Sequence, residues 1–213
     1  MVSATGGRAA LGAELKAFAE GHIAAMGGYT DAGLEAAKGK AAFTMYEGNR
    51  LTVAKYTAAG LTADKINAYY ANLCANATKL NSKIAVTQVG DVEGCPVLHS
   101  VASLPWPMSN RSTISCLYKF ESSGTLVFVQ SSRGNADLQT AHAKAIGKNV
   151  IATNHIAYAS YVPVAGGFEV TTVMCADPAG SIPDAMKTKQ AAKNAAQAFN
   201  LANFMLTGAV PAE

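Results

Sequence analysis

The chain has 213 residues, enough for one large domain, and no change of composition along it marks a linker. Hydrophobic residues make up 50% and charged residues only 15%, which excludes a disordered chain and leaves surplus apolar surface that suits a binding cavity. The net charge of +3 comes from scattered lysines and arginines that form no run, so the sequence predicts no nucleic-acid partner.

Cysteine and histidine spacing predicts no metal site and no cofactor. The four cysteines, at positions 74, 95, 116 and 175, form no CxxC pair and are interpreted as buried free thiols. The N-terminal residues lack the basic segment and apolar run of a signal peptide, and no stretch approaches about 18 uninterrupted apolar residues. We therefore expect a cytoplasmic protein without a membrane span.

Apolar periodicity and turn signals predict a run of strands that follows two helices. In chain order the pattern predicts a helix over 8–26, strands over 40–47 and 51–57, a short helix over 62–73, strands over 84–91, 96–104, 113–120 and 126–131, a longer loop over 135–149 with a helical turn near 141–146, and strands over 150–162 and 168–176. Thr62 is predicted to cap the short helix.

A sharp turn at 177–183 leads into one long helix that runs to Leu206. Pro183 lies where the first turn of a helix tolerates proline, and Ser181 is placed as the N-cap. One face of this helix consists of small and apolar residues: Thr188, Ala192, Ala195, Phe199, Ala202 and Leu206, flanked by Ala191, Ala198 and Met205. Such a face either packs closely on a neighbour or leaves room for something that is not protein.

These elements predict an α+β fold. Consecutive strands joined by short turns form an antiparallel meander, and an amphipathic helix can cover the apolar face of such a sheet. We expect a curved antiparallel sheet wrapped around the long C-terminal helix. Where curvature keeps sheet and helix apart, a hydrophobic tunnel remains between them.

Two motifs resemble the START (StAR-related lipid-transfer) family of the helix-grip, or Bet v 1-like, superfamily. The segment Pro105-Trp106-Pro107-Met108-Ser109-Asn110-Arg111 is similar to the family's proline-rich loop ending in Ser-x-Arg. The segment Asp177-Pro178-Ala179-Gly180-Ser181-Ile182-Pro183 is similar to its D-P-x-G-x-x-P turn before the lid helix. The motifs occur in the family's order, and the resemblance covers about residues 35 to 206.

The resemblance implies a helix-grip fold, with the C-terminal helix and the Trp106 loop as the gate of a hydrophobic tunnel. It implies a lipid or sterol ligand, non-vesicular transfer with transient contact to a membrane surface, and no catalytic residues. We divide the chain into an N-terminal helical segment, 1–34, and a START-like domain, 35–213, on which that segment packs. A monomer is expected.

The sequence departs from the family pattern where charged ligand groups are held. The family continues Arg-Asp-aromatic-Val after the proline-rich loop, whereas this chain has Arg111-Ser112-Thr113-Ile114. Tyr70 and Cys74 stand where phospholipid-transferring members place an arginine and an aspartate. Leu117 stands about where sterol-type members often have an arginine. We therefore expect a less polar ligand, or a head group held by tyrosine and histidine.

The predicted ligand-binding residues lie on the C-terminal helix, on the strands and at the end of the short helix. They are Tyr70, Tyr118, Phe128, His155, Tyr158, Met174, Met186, Thr188, Ala192, Ala195, Phe199, Ala202 and Leu206. The loop residues Trp106 and Met108 either fold back onto the domain as a loop anchor or, as we hypothesise, insert into a bilayer with Arg111 in contact with lipid head groups.

Two alternatives stay open at this point. An enzyme of the same fold would need two inward titratable groups that face one cavity, for example His155 with Glu169 or Asp137. A degenerate domain with a collapsed tunnel would instead serve as an interaction module. The sequence contains no nucleophile elbow, phosphate loop or HExxH motif.

Overall fold

The computed structural model describes residues 7–32 and 39–210. The helices are α1 Gly7–Ala25, α2 Ala63–Ala71, α3 Leu73–Leu80, α4 Ala136–Ala141, α5 Ala143–Ile146, α6 Asp184–Ala195 and α7 Gln197–Thr207, with a 3-10 turn at Met26–Gly28. The strands are β1 Thr30–Asp31, β2 Lys40–Tyr46, β3 Asn49–Ala59, β4 Ile84–Val92, β5 Cys95–Ala102, β6 Arg111–Ser122, β7 Thr125–Ser131, β8 Val150–Ile151, β9 Thr153–Val164 and β10 Gly167–Asp177.

All strands belong to one curved sheet, in the order β1-β2-β3-β10-β9-β7-β6-β5-β4, with β8 beside β6. Pairing is antiparallel except between β6 and β8. The predicted meander is present from β4 to β7 and resumes through β9 and β10, because β7 pairs with β9 across the 135–149 segment. The strand predicted over 150–162 is divided into β8, which pairs with β6, and β9. β3 pairs with β10, while α2 and α3 carry the chain from β3 to β4 at the far edge of the sheet.

Helix α1 covers one face of the sheet, which we call the outer face. Leu11, Leu15 and Ala19 of α1 are buried against it. The sheet contributes mostly β-branched and aromatic side chains to this core: Val53, Val97, Ile114, Val127, Val129, Ile156, Tyr158 and Val173. Gly12 allows the close approach, because a Cβ added there would lie 2.5 Å from Cδ1 of Tyr118.

The opposite, inner face carries α2, α3 and the C-terminal helices. Alanines at positions 54 and 58 of β3 meet Ala198 and Ala202 of α7 in a second core, which lets helix and strand lie close together. Ile66 and Tyr69 of α2 join this core, as do Phe128, Tyr161 and Val170 of the sheet. Helix α3 lies over β4, where the Thr78 hydroxyl accepts the N–H of Val86.

The structure refines two predicted helix boundaries. The long C-terminal helix is two segments separated at Ala196. Two backbone hydrogen bonds of helical spacing still link the segments: the N–H of Ala196 donates to the carbonyl of Ala192, and the N–H of Asn200 donates to that of Ala196. Its N-cap position is Pro183, with no side-chain cap, rather than Ser181. Thr62 caps α2 as predicted, because its hydroxyl accepts the N–H of Lys65.

The proposed boundary between residues 34 and 35 lies outside the described residues. Within the described part of the chain, no helix is long and apolar enough to cross a membrane.

Candidate ligand-binding site and lid

Two neighbouring rows of side chains cross the same five strands, β3, β10, β9, β7 and β6, and point to opposite faces. The outer row is Val53, Val173, Tyr158, Val129 and Tyr118, and each residue is at most 3% exposed. The inner row is Thr52, Met174, Ala157, Gln130 and Leu117. Only Thr52 of the inner row is buried, and the other four are half-buried.

For Met174, Ala157 and Gln130, partial exposure requires uncovered space above the strand, because hydrogen-bonded neighbours flank β10, β9 and β7 on both sides. The C-terminal helices lie along β3 and β10, whereas α3 lies over β4. The space between them, over Met174, Ala157, Gln130 and Leu117, is what we call the inner groove. It is a mainly apolar strip with one amide, that of Gln130, which donates to the Ser115 hydroxyl.

Aromatic rings close the inner groove at the α2 end. Tyr70 stacks on Phe128 with ring centroids 3.3 Å apart and planes 5° apart. The hydroxyls of Tyr70 and Tyr161 share a hydrogen bond of 3.0 Å. Burial raises the pKa of both phenols, so they stay neutral and bind no cation through a phenolate. Two predicted residues, Tyr70 and Phe128, thus form an end wall rather than a charged clamp.

The C-terminal helices present a face that differs from the predicted one. The buried residues are Ala191, Ala195, Ala198, Leu201 and Ala202. Of the predicted residues, Ala195 and Ala202 are buried, while Met186, Phe199 and Leu206 are half-buried. Thr188 and Ala192 are largely exposed and line a small cavity of about 120 Å³ on the β2–β3 side of α6.

A larger, partly open cleft of about 650 Å³ lies where β5 and β6 separate. Pairing of β5 with β6 ends at Val97 and Cys116, so the second half of β6, from Leu117 onwards, borders this cleft. Its lining is mostly apolar and includes Tyr70, Leu117 and Phe128. Because Leu117 also ends the inner row, the cleft adjoins the inner groove at the edge of the sheet.

The two sequence motifs meet through one buried side chain, that of Arg111. Its guanidinium donates to the carbonyl of Ser109 at 2.5 Å, to that of Pro178 at 2.6 Å and to that of Ala179 at 3.1 Å. Arg111 is only 7% exposed. It therefore ties the Trp106 loop to the turn before α6, and this placement leaves it no reach toward lipid head groups.

The Trp106 loop presents its tryptophan outward. Trp106 is 92% exposed, the most exposed of the large hydrophobic side chains that the structure describes, whereas Met108 is half-buried. The Asn110 side chain accepts the N–H of Leu104, and the Met108 N–H bonds to the carbonyl of Pro105. The loop is thus held from within while its indole stays free.

Three predicted ligand residues lie on the outer face, across the sheet from the inner groove. Tyr118 and Tyr158 belong to the core under α1. His155 sits beside a bulge in the ladder and contacts the ring of Tyr46. Tyr118 and Tyr158 therefore lie on the face opposite to the predicted one, because alternation gives two faces but not which of them is inward. By strict alternation His155 and Tyr158 would point to opposite faces, and the bulge opposite Cys175 and Ala176 places both on the outer side.

The enzymatic pairing suggested for His155 does not assemble. Glu169 pairs with Val162 near the other end of β9, and Asp137 binds Arg8 at 2.6 Å. Burial lowers the pKa of His155, while the carboxylate of Glu47, 3.5 Å from Nδ1, acts in the opposite direction. No group of three potential metal ligands occurs among residues 7–32 and 39–210.

Sequence reasoning missed Ala157, Gln130 and Leu117 of the inner row. Ala157 is small and Gln130 is polar, so neither stands out in a hydrophobic pattern. Leu117 was considered only because sterol-type members of the family often have an arginine at about its position. Their common feature is the register that aligns them, which depends on β7 pairing with β9. The alternation of β9 between Ile156, Ala157 and Tyr158 could have indicated a small-residue face.

A sheet that curves around C-terminal helices, with further helices at its edges, is an α+β helix-grip fold. Several solved structures share this fold. Human STARD10 superposes with a TM-score of 0.67 at 14% identity, over 88% of this chain and 77% of that one. Human StAR-related lipid transfer protein 5 superposes with a TM-score of 0.62 at 13% identity, over 90% of this chain and 97% of that one.

A bacterial structure extends the likeness beyond human proteins. The STAR-related lipid transfer protein fragment from Xanthomonas axonopodis gives a TM-score of 0.61 at 19% identity, over 82% of this chain and 97% of that one. No family model and no curated protein matches the sequence itself. The chain therefore has a START-like fold.

Proposed function

We propose that this protein binds a lipid or sterol in the inner groove and transfers it between membranes. The observation that carries the proposal is the inner row, whose four half-buried residues contrast with the filled outer row on the same strands. Two of the similar structures are named lipid transfer proteins, which supports the same class of ligand.

The physical requirement of such a carrier is modest. Each methylene removed from water contributes about 0.8 kcal/mol, so a long acyl chain resists leaving a membrane by on the order of 10 kcal/mol. A groove lined by Met174, Ala157 and Leu117 offsets that cost without any reacting group. The function proposed is accordingly not enzymatic, and the cytoplasmic location predicted from the sequence stays a prediction.

Helix α6 is the part of the cover best suited to act as a lid. Its buried residues are two alanines, whereas α7 buries Leu201 with Ala198 and Ala202. The end of α7 is also anchored, because Lys65 of α2 donates to the carbonyl of Leu206 at 3.1 Å. Opening α6 would uncover the inner groove at the end where Arg111 joins the turn to the Trp106 loop.

A ligand-retention experiment tests the groove directly. Ala157→Trp places a large ring in the inner groove and should lower the amount of bound fluorescent lipid by about tenfold or more, since the site loses most of its free volume. Ala165→Trp, in the exposed turn of the same hairpin, is the matched control. Lipid retained equally by both folded variants would contradict the proposal.

Mass spectrometry of material extracted from the purified protein is an independent test of lipid binding. Retained lipid in the wild type, lost in Ala157→Trp, is the expected result. If the protein retains neither native nor added lipid, the alternative of an interaction module with a collapsed tunnel is favoured. The aromatic wall of Tyr70 and Phe128, which already fills one end of the inner groove, is consistent with that alternative.

Membrane docking is proposed for Trp106 and Met108. Trp106→Ser should slow lipid transfer between vesicles by about threefold to tenfold, because an interfacial indole contributes binding energy only at the bilayer. Val162→Ser, an exposed apolar residue near the opposite end of the sheet, serves as control. Transfer that is unchanged in Trp106→Ser, with normal lipid retention, would exclude the loop as a docking element.

A further inference from the structure

The small cavity on the β2–β3 side of α6 has a composition unlike that of the inner groove. Its volume is about 120 Å³, and it is lined by Ala32, Phe43, Arg50, Thr52, Thr188, Ala191 and Ala192. A water molecule occupies about 30 Å³ of liquid, so the cavity has the size of a group of a few heavy atoms. It lies across α6 from the inner groove and is a separate site.

Thr52 supplies the deepest polar group of this cavity. The residue is 1% exposed, and within the described part of the chain its hydroxyl has no hydrogen-bond partner. A buried hydroxyl left unpaired is destabilising, and a ligand oxygen in the cavity would relieve that cost.

Arg50, an exposed residue two positions before Thr52 on β3, supplies a positive charge to the same cavity. Its guanidinium lies 3.9 Å from the centroid of the Phe43 ring, which holds the side chain against the cavity wall. Among residues 7–32 and 39–210 the guanidinium makes no hydrogen bond or ion pair. Its planar array of N–H donors is therefore available, and that array matches the two oxygens of a carboxylate.

Thr188 completes the polar lining from the opposite wall. Its position on α6 places a second hydroxyl in the cavity, while Phe43, Ala191 and Ala192 supply apolar surface. One guanidinium and two hydroxyls suit a monoanion with a short apolar stem.

We propose that the cavity bounded by Arg50, Thr52 and Thr188 is a binding site for a carboxylate that carries a short apolar stem. The carboxylate accepts from the Arg50 guanidinium and the Thr52 hydroxyl, and its stem packs on Phe43 and the alanines of α6. Because the site joins α6 to the β2–β3 hairpin, its occupancy holds the lid helix against the sheet.

A nitrogen-15 NMR titration with sodium butyrate tests this assignment, with butyramide as the neutral ligand of the same shape. Butyrate should shift the backbone amides of Thr52, Thr188 and Ala192. It should bind about tenfold or more tightly than butyramide, as expected for hydrogen bonds to charged groups. Equal affinities for the two ligands, or shifts confined to other residues, would overturn the proposal.

Three variants identify the groups responsible. Arg50→Met keeps an apolar stem on Phe43 but removes the charge, and Thr52→Val removes the hydroxyl while preserving shape. Each should weaken butyrate binding by about tenfold. Thr172→Val is the matched control: its hydroxyl is equally buried and equally unpartnered within the described chain, but does not line the cavity. Butyrate binding that persists in Arg50→Met and Thr52→Val would overturn the proposal.

Palmitate and methyl palmitate distinguish the source of the carboxylate. Palmitate that binds much more tightly than butyrate and than methyl palmitate, and loses that advantage in Arg50→Met, indicates the acid group of a long-chain lipid whose remaining chain extends out of the cavity. Palmitate no tighter than butyrate indicates a free short-chain acid, and both results support the site. Retention of a neutral lipid in the inner groove is measured separately, so failure of either assignment leaves the other open to its own test.

Discussion

The two faces of the sheet are built on the same strands, in the same register, and are filled to different extents. On the outer face, α1 crosses the centre of the sheet and presses Leu15 and Ala19 onto a continuous layer of valines and aromatic rings. On the inner face, the C-terminal helices follow β3 and β10, and one row of the central strands, Met174, Ala157 and Gln130, is only half-buried. The difference follows from where each covering helix lies.

This contrast separates stability from the proposed function within one sheet. A closely packed face supports the fold, because each buried side chain contributes to the free energy of unfolding. A face that is not completely covered leaves space above its strands, and the residues there are under less packing constraint. In this chain the outer core is the scaffold, and the inner groove is the place where we propose that the ligand binds.

The largest effect is expected from truncating side chains on the two faces. Ile156→Ala, in the outer core, should lower the free energy of unfolding by about 2–5 kcal/mol, because it leaves a cavity in a filled layer. Met174→Ala, on the inner row, should cost about 1 kcal/mol or less, since its side chain is already half-buried. Urea denaturation of both variants measures the difference. Equal losses would show that the inner row is packed as tightly as the outer one.

A smaller effect is expected from releasing the connection that closes the inner groove. Arg111→Met removes three donations to carbonyl groups and should cost about 1–3 kcal/mol in urea denaturation. Hydrogen exchange should accelerate most in the turn at 177–183 and in α6, while the outer core stays protected. Arg111→Lys keeps the charge but not the fork of donors, so it should lie between wild type and Arg111→Met. Uniform acceleration over the whole sheet would refute the coupling.

Much of this architecture was predictable from residue patterns, and the reasons are local. Leu11, Leu15 and Ala19 recur at helical spacing, so α1 and its buried face could be recognised. The hairpins were recognisable because glycine-containing turns separate segments rich in valine, threonine and tyrosine. The two motifs at 105–111 and 177–183 predicted the START-like fold that the solved structures confirm.

The inward faces were harder to predict, for two physical reasons. Alternation shows that Ile156 and Ala157 point to opposite sides, but not which side the C-terminal helix covers. On that helix, the predicted face and the buried face differ by a rotation of about 60° at 100° per residue. Both faces are rich in alanine, so periodicity could not separate Thr188 and Ala192 from Ala191 and Ala198. Arg111 was placed at a surface because sequence reveals a charge but not its buried carbonyl partners.

The smallest effect concerns pH and again separates the two faces. Burial lowers the pKa values of His22, His99 and His155 from the ordinary value of 6.5. His155 lies beside Tyr46, which packs against the outer core, and His99 shares a buried hydrogen bond of 3.0 Å with the Ser112 hydroxyl. Below pH 6.5 the unfolded chain binds protons at these histidines that the folded chain does not bind. Protonation of the imidazole rings therefore favours the unfolded chain.

The contribution of these histidines to the free energy of unfolding is therefore fully present above pH 6.5. It is lost as the pH falls toward the pKa values that the histidines have in the folded chain. The urea midpoint should decrease between about pH 7.5 and about pH 5.5, and His155→Phe should reduce this dependence by removing one titrating group. Lipid retention by the inner groove should change less over the same interval, because its lining residues Met174, Ala157, Gln130 and Leu117 do not titrate. A retention curve that follows the urea midpoint would instead mean that the outer histidines control the groove, and the two faces would then be energetically coupled through the strands they share.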